Sequence, residues 1–136
     1  MPARRKARKR ALDVLYEADV RDLPPVEVLA NYVQRIAAPH PEHLPYAVGL
    51  VEGVASHMAR IDELIASYAE GWTLERMPVI DRNLARIAVH ELLYADEIDD
   101  AVAISEAVEL AKQMSTDDSP RFLNGILARI ADYTKH

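Results

Sequence analysis

The chain has 136 residues, 50% of them apolar and 28% charged, which describes one globular domain rather than a disordered segment. It has no cysteine, so disulfides, thiolate zinc sites and a cysteine nucleophile are excluded. The net charge of −6 is unevenly spread: Arg4, Arg5, Lys6, Arg8, Lys9 and Arg10 put +6 into the first ten residues, and the rest carries −12. Such a block is useful beside a polyanion, and RNA, DNA and an anionic membrane surface are the candidates.

The basic block runs into a helical stripe. Ala7, Ala11, Val14, Leu15 and Ala18 recur on one face, with charges on the remaining arc. On that helix Arg4 and Arg8 share a ridge, as do Arg5 and Lys9, and Lys6 and Arg10. Three adjacent basic ridges can follow a phosphate backbone, and guanidinium groups can fork onto phosphate or lie on a base. The competing reading is a solvated, frayed terminus. Leu23-Pro24-Pro25 stops this helix and starts a second, roughly Val26 to Ala37. Pro39, Pro41 and Pro45 make a stiff connection.

The third and longest predicted helix runs from about Tyr46 to Tyr68, with Leu50, Val54, His57, Ile61, Leu64 and Tyr68 as its packing seam. Gly49 and Gly53 would permit close helix approach, and Gly71 is a left-handed cap. After a short segment from Leu74 to Met77, stopped by Pro78, a fourth helix carries Val79, Ile80, Leu84, Ile87, Ala88, Glu91 and Leu92. Asp99 or Asp100 caps a fifth, with Ile104, Ala107, Val108, Ala111 and Met114 on its face. Ser119-Pro120 caps a sixth, from Arg121 to about Tyr133. No strand alternation is visible, so the fold class is all-α.

Catalytic signatures are weak. His40-Pro41-Glu42-His43 holds metal-friendly residues, but its prolines deny it helical geometry. His90-Glu91 lacks the second His of a zinc-protease helix, and there is no glycine-rich phosphate loop or nucleophile elbow. We therefore expect no enzyme activity, no metal and no cofactor. Phe122, the only Phe, lies at the start of the last helix beside Arg121, where an aromatic offers a base-stacking platform and free amides suit a phosphate. From the residues alone a core anchor is the favoured reading, because large apolar residues are so often buried. Asp117 and Asp118 beside it repel phosphate.

No run approaches the ~18–20 apolar residues needed to span a bilayer. The basic start lacks an apolar h-region, and Asp13, Glu17 and Asp19 argue against a transit peptide. A cytoplasmic protein with no membrane contact is the expectation.

The chain resembles the bacterial transcription antitermination factor NusB family over nearly its whole length. The resemblance rests on Arg4-Arg5-Lys6-Ala7-Arg8 with Ala11-Leu12 and Leu15-Tyr16; on Trp72-Thr73-Leu74-Glu75-Arg76; on Asp81-Arg82, Arg86-Ile87-Ala88 and His90-Glu91-Leu92; on Ile104 through Lys112; and on Arg121-Phe122-Leu123-Asn124-Gly125-Ile126-Leu127. It implies two small helical-bundle subdomains, here 1–70 and 71–136. It implies a non-enzymatic adaptor that binds the boxA element of ribosomal RNA leaders with ribosomal protein S10 (NusE), in a complex with RNA polymerase, NusA and NusG. The RNA-facing positions it implies are Arg5, Lys6, Arg8, Lys9, Arg10, Arg121, Phe122 and Asn124, to which the ridge reading adds Arg4. Tyr16, Glu75, Arg76, Asp81 and Arg82 are the partner-facing candidates. His90 stands where the family usually has an aromatic. Some relatives self-associate through the RNA-facing surface, which leaves a homodimer open. The alternative function is a helical interaction module with no RNA contact of its own.

Overall fold

The computed structural model describes residues 3–36 and 41–134. These form seven α-helices and one 3-10 turn: α1 (Ala3–Arg21), α2 (Pro25–Arg35), α3 (Leu44–Ser56), α4 (Met58–Tyr68), the 3-10 turn (Leu74–Arg76), α5 (Val79–Tyr94), α6 (Asp100–Met114) and α7 (Ser119–Thr134). Among the described residues there is no strand, so the all-α expectation holds. His40, Ala37 and Pro39 lie outside the described residues.

Local chemistry explains the boundaries. Helix α1 ends in a Schellman arrangement: Asp22 adopts φ +55, its N–H reaches Asp19 O, and the Leu23 N–H reaches back to Ala18 O at 2.9 Å. Pro24 then takes the N-cap position of α2 and Pro25 its first turn. The turn after α4 closes with the Trp72 N–H on Ala69 O at 3.1 Å. Its third residue, Gly71, sits at φ +77, as the cap reading required.

Three expectations are corrected. The long third helix is two helices, broken at His57, whose φ of −116 and ψ of 19 leave the helical region. Ser119 is the first residue of α7 rather than a cap outside it, and its hydroxyl turns inward. Asp99 occupies the N-cap position of α6, but its side chain makes no capping hydrogen bond.

Helix α5 is the hub, packing against α1, α3, α4, α6 and α7. One hydrophobic cluster runs from Ala11, Leu12 and Leu15 through Val51, Ile61 and Ile65 to Leu84, Leu123, Leu127 and Ile130. Each fully buried Leu or Ile contributes on the order of 1.5–3 kcal/mol. Gly53 of α3 faces the His90 ring of α5, and a Cβ there would collide with that ring. Gly49 meets nothing comparable. His90 in turn lies beside Tyr94, whose ring stacks on His57 at 3.9 Å.

Candidate nucleic-acid interface

The α1 stripe predicted from sequence is buried, Ala7, Ala11, Val14, Leu15 and Ala18 all facing the core. Its orientation decides what the six basic residues can do. Arg8 falls on the buried side, at 4% exposure. Its Nε and Nη2 donate to Glu91 at 3.0 and 2.9 Å, and Nη1 donates to Glu106 at 3.4 Å. Tyr46 also donates its hydroxyl to Glu91. Burial opposes the Arg8 charge, but the Glu91 carboxylate more than offsets it and holds the guanidinium pKa above its ordinary value. The Tyr46 hydroxyl is pushed up by burial and by Glu91. Arg8 is therefore a correction: it is an internal ion pair, not part of an exposed ridge.

Arg5 is intermediate. It forks onto Glu106 through Nε at 2.9 Å and Nη2 at 2.6 Å. These bonds hold the Glu106 carboxyl below its usual range. The Arg4 guanidinium lies 5.2 Å from the Tyr46 ring centroid. Lys9 and Arg10 both reach Asp13, at 2.8 and 3.3 Å, in exposed pairs worth little against a polyanion. Lys6 makes no ion pair among the described residues and is exposed. Arg4, Lys6 and Arg10 are thus exposed, Arg5 and Lys9 are half-buried with Arg5 drawn onto Glu106 of α6, and Arg8 alone of the six is buried. Next to this face lies His43, whose pKa is lowered by burial and by the charges of Arg10 and Lys6.

Phe122 is half-buried and packs against the core. It lines a cleft of about 440 Å³ with Trp72, Pro78, Asp81, Thr116, Asp118 and Ser119. Arg121 and Asn124 are exposed on the first turns of α7, and Arg121 reaches Asp118 at 3.2 Å. This cleft and the basic face are not contiguous. Arg8 meets Glu91 near the end of α5, while Ser119 meets Asp81 near its start. Ten residues of helix separate those anchors, about 15 Å.

The partner candidates divide as well. Tyr16 is exposed, seven residues and two turns beyond Lys9 on the same face of α1. Glu75 and Arg76 are exposed on the 3-10 turn. Asp81 is a correction: at 2% exposure, its carboxylate accepts the hydroxyls of Ser115 at 2.6 Å and Ser119 at 2.7 Å. Arg82 is committed inward, forking onto Asp19 at 2.7 and 2.6 Å and donating to Leu74 O at 3.0 Å. Burial works against the Asp19 carboxylate, but Arg82 and Asn83 hold its pKa below the ordinary value.

Among the described residues no group of His, Cys, Asp or Glu is placed to hold a metal ion, and no helix is long and apolar enough to cross a membrane.

A model of the NusB family matches residues 5–132. The chain belongs to the NusB family. Transcription antitermination protein NusB of Salinispora arenicola is 83% identical over 133 residues, covering 98% of each chain. The protein of that name from Acidothermus cellulolyticus is 56% identical over 130 residues, 96% of this chain and 88% of its own. Among solved structures, T. maritima NusB matches with a TM-score of 0.86 at 34% identity, over 97% of this chain and 92% of that one. A chain in a crystal structure of antitermination factors NusB and NusE in complex with dsRNA matches with a TM-score of 0.85 at 27% identity, over 98% of both.

Within this NusB-family fold, sequence reasoning missed the groups that position the interface. Glu91 and Glu106 hold Arg8 and Arg5 from 83 and 101 residues away along the chain. A signal existed: Arg8 is flanked by Ala7 and Ala11 on the apolar stripe, and a charge there implies a buried partner. Trp72 was visible only as part of a motif, yet it is the exposed ring of the cleft.

Proposed function

We propose that this chain is a transcription antitermination factor that binds the boxA element of ribosomal RNA leader transcripts together with ribosomal protein S10 (NusE). The observation that carries the reading is the cationic surface of Arg4, Lys6, Lys9 and Arg10 on a helix whose orientation is fixed by the buried Arg8–Glu91 ion pair. The family's antitermination name and the relative crystallised with NusE and RNA support it. In this reading the cations grip phosphate in a salt-dependent way, and Phe122 with Arg121 and Asn124 meets unpaired bases farther along the strand. Tyr16, Glu75 and Arg76 remain the surface residues offered to NusE. The protein acts as a non-enzymatic adaptor in the cytoplasm, within the assembly of RNA polymerase, NusA and NusG.

The test is a titration with fluorescent single-stranded boxA RNA across a salt series, with and without NusE. Replacing Lys9 and Arg10 by Gln should weaken binding to every RNA and flatten the log–log salt slope by about 1.4, roughly 0.7 per lost phosphate contact. An unchanged slope would make the arm a bystander and favour the interaction-module reading. Phe122→Ala should weaken boxA RNA while leaving scrambled RNA little changed; equal losses on both would remove its base-reading role.

A further inference from the structure

Trp72 is the chain's single tryptophan, and it is 49% exposed. Its position is built rather than incidental. The Ala69–Trp72 turn swings the indole out of the end of α4, and the turn depends on Gly71 at φ +77, a conformation that side chains resist. The indole then meets Phe122 edge-to-face, with centroids 5.8 Å apart and planes at 64°. In such a pair the edge of one ring covers only one face of the other, so aromatic surface stays open to the cleft.

The polar groups of that cleft are already satisfied. Ser119 donates to Asp81 at 2.7 Å and accepts the Thr116 backbone N–H at 3.2 Å, while the Thr116 hydroxyl lies 2.7 Å from Ser119 Oγ. What remains for a ligand is Trp72, Phe122 and Pro78. Asp117 and Asp118 at the lip oppose a phosphate, so a bound strand would place a base there, not its backbone. An arginine side chain of a protein partner also stacks on indole, but it would need a carboxylate to face it. Asp81 is committed to the two serine hydroxyls, and Asp118 pairs with Arg121 only at the surface, so the NusE arm of the test below is what separates an arginine from a base.

We propose that Trp72 and Phe122 form a two-ring clamp that stacks one unpaired nucleobase of the bound RNA, with Trp72 supplying the open face. The clamp rests on the RNA-binding reading above and adds to it a base-stacking site separate from the basic arm. Stacking by itself accepts any base, so the boxA preference that Phe122→Ala tests comes from which unpaired nucleotide the register of the bound strand delivers to the rings.

A single tryptophan lets occupancy and binding be read separately. Anisotropy of labelled boxA RNA reports binding, and Trp72 emission reports the clamp, both with and without NusE. The RNA is then scanned with one abasic nucleotide at successive positions. Saturating RNA should quench Trp72. One abasic position should abolish the quench and weaken affinity on the order of tenfold, the lower part of the range for one stacked base. Trp72→Leu should weaken intact RNA by a similar factor and that abasic RNA hardly at all. Phe122→Leu, which keeps the fluorophore, should reduce the quench. RNA that binds by anisotropy while emission stays constant and Trp72→Leu binds as tightly as the unaltered protein would overturn the clamp and leave the RNA reading standing. Emission that answers to NusE alone would assign the slot to a protein side chain and overturn it too. Absence of any RNA binding would remove the functional reading and the clamp together.

Discussion

Helix α5 buries one carboxylate near each end, and the protein treats the two differently. Asp81, in the first turn, is 2% exposed and held by two serine hydroxyls. Glu91, in the last turn, is 1% exposed and receives a full guanidinium from Arg8 as well as the Tyr46 hydroxyl. The helix macrodipole accounts for the contrast. An anion at the helix start is stabilised by the aligned amides, so neutral donors complete its solvation; an anion at the helix end is opposed by the same field and needs a countercharge. The aromatic cleft therefore forms around a self-contained polar knot, whereas the basic arm is pinned by spending one of its own cations in the interior.

The sharpest way to break this contrast is at Arg8. Arg8→Met leaves Glu91 buried and unpaired, and should cost about 3–5 kcal/mol in urea denaturation. Pairing it with Glu91→Met should restore most of that loss. A single-variant cost below about 1 kcal/mol would mean that Glu91 is not held by charge. At the other end, Asp81→Asn keeps an acceptor oxygen for one serine, turns an amide N–H toward the other hydroxyl and loses the charge assistance, so thermal denaturation should show a smaller loss, about 1–2 kcal/mol. Equal costs at the two ends would sink the dipole account. The smallest effect concerns pH. The Glu106 pKa is lowered, chiefly by the Arg5 hydrogen bonds, from an ordinary value of 4.5. The unfolded chain thus takes up this proton first as the solution is acidified. The associated stability is present above pH 4.5 and is lost as pH falls through the lower folded-state value. Arg5→Gln should shrink that acid-side loss, measured as the change in melting temperature between pH 6 and pH 3.5; an unchanged difference would place the loss at Asp19 instead.

Much of the fold was legible because its signals are local. The apolar stripe of α1, the proline restart at Pro24-Pro25 and the left-handed Gly71 each depend on a few neighbouring residues. The break at His57 was not legible: Leu50, Val54, His57, Ile61 and Leu64 keep a helical period straight through it, and periodicity does not report one residue leaving the helical region. The candidate site was half legible. That α1 carries cations was plain, but which of them face outward depends on acids contributed by α5 and α6. Phe122 was marked by its place at a helix start. Its neighbour Trp72 comes from a turn fifty residues earlier in the chain, and only packing brings the two together.

The contact between Gly53 and His90 has a consequence for how this protein diverges. With no room for a methyl group between them, the two positions are one packing unit shared by α3 and α5. Related chains that carry anything larger than glycine at 53 must hold a slimmer or reoriented side chain at 90. Substitutions at the two sites should therefore appear in tandem, and a chimera that swaps α3 alone between distant relatives should melt below both parents.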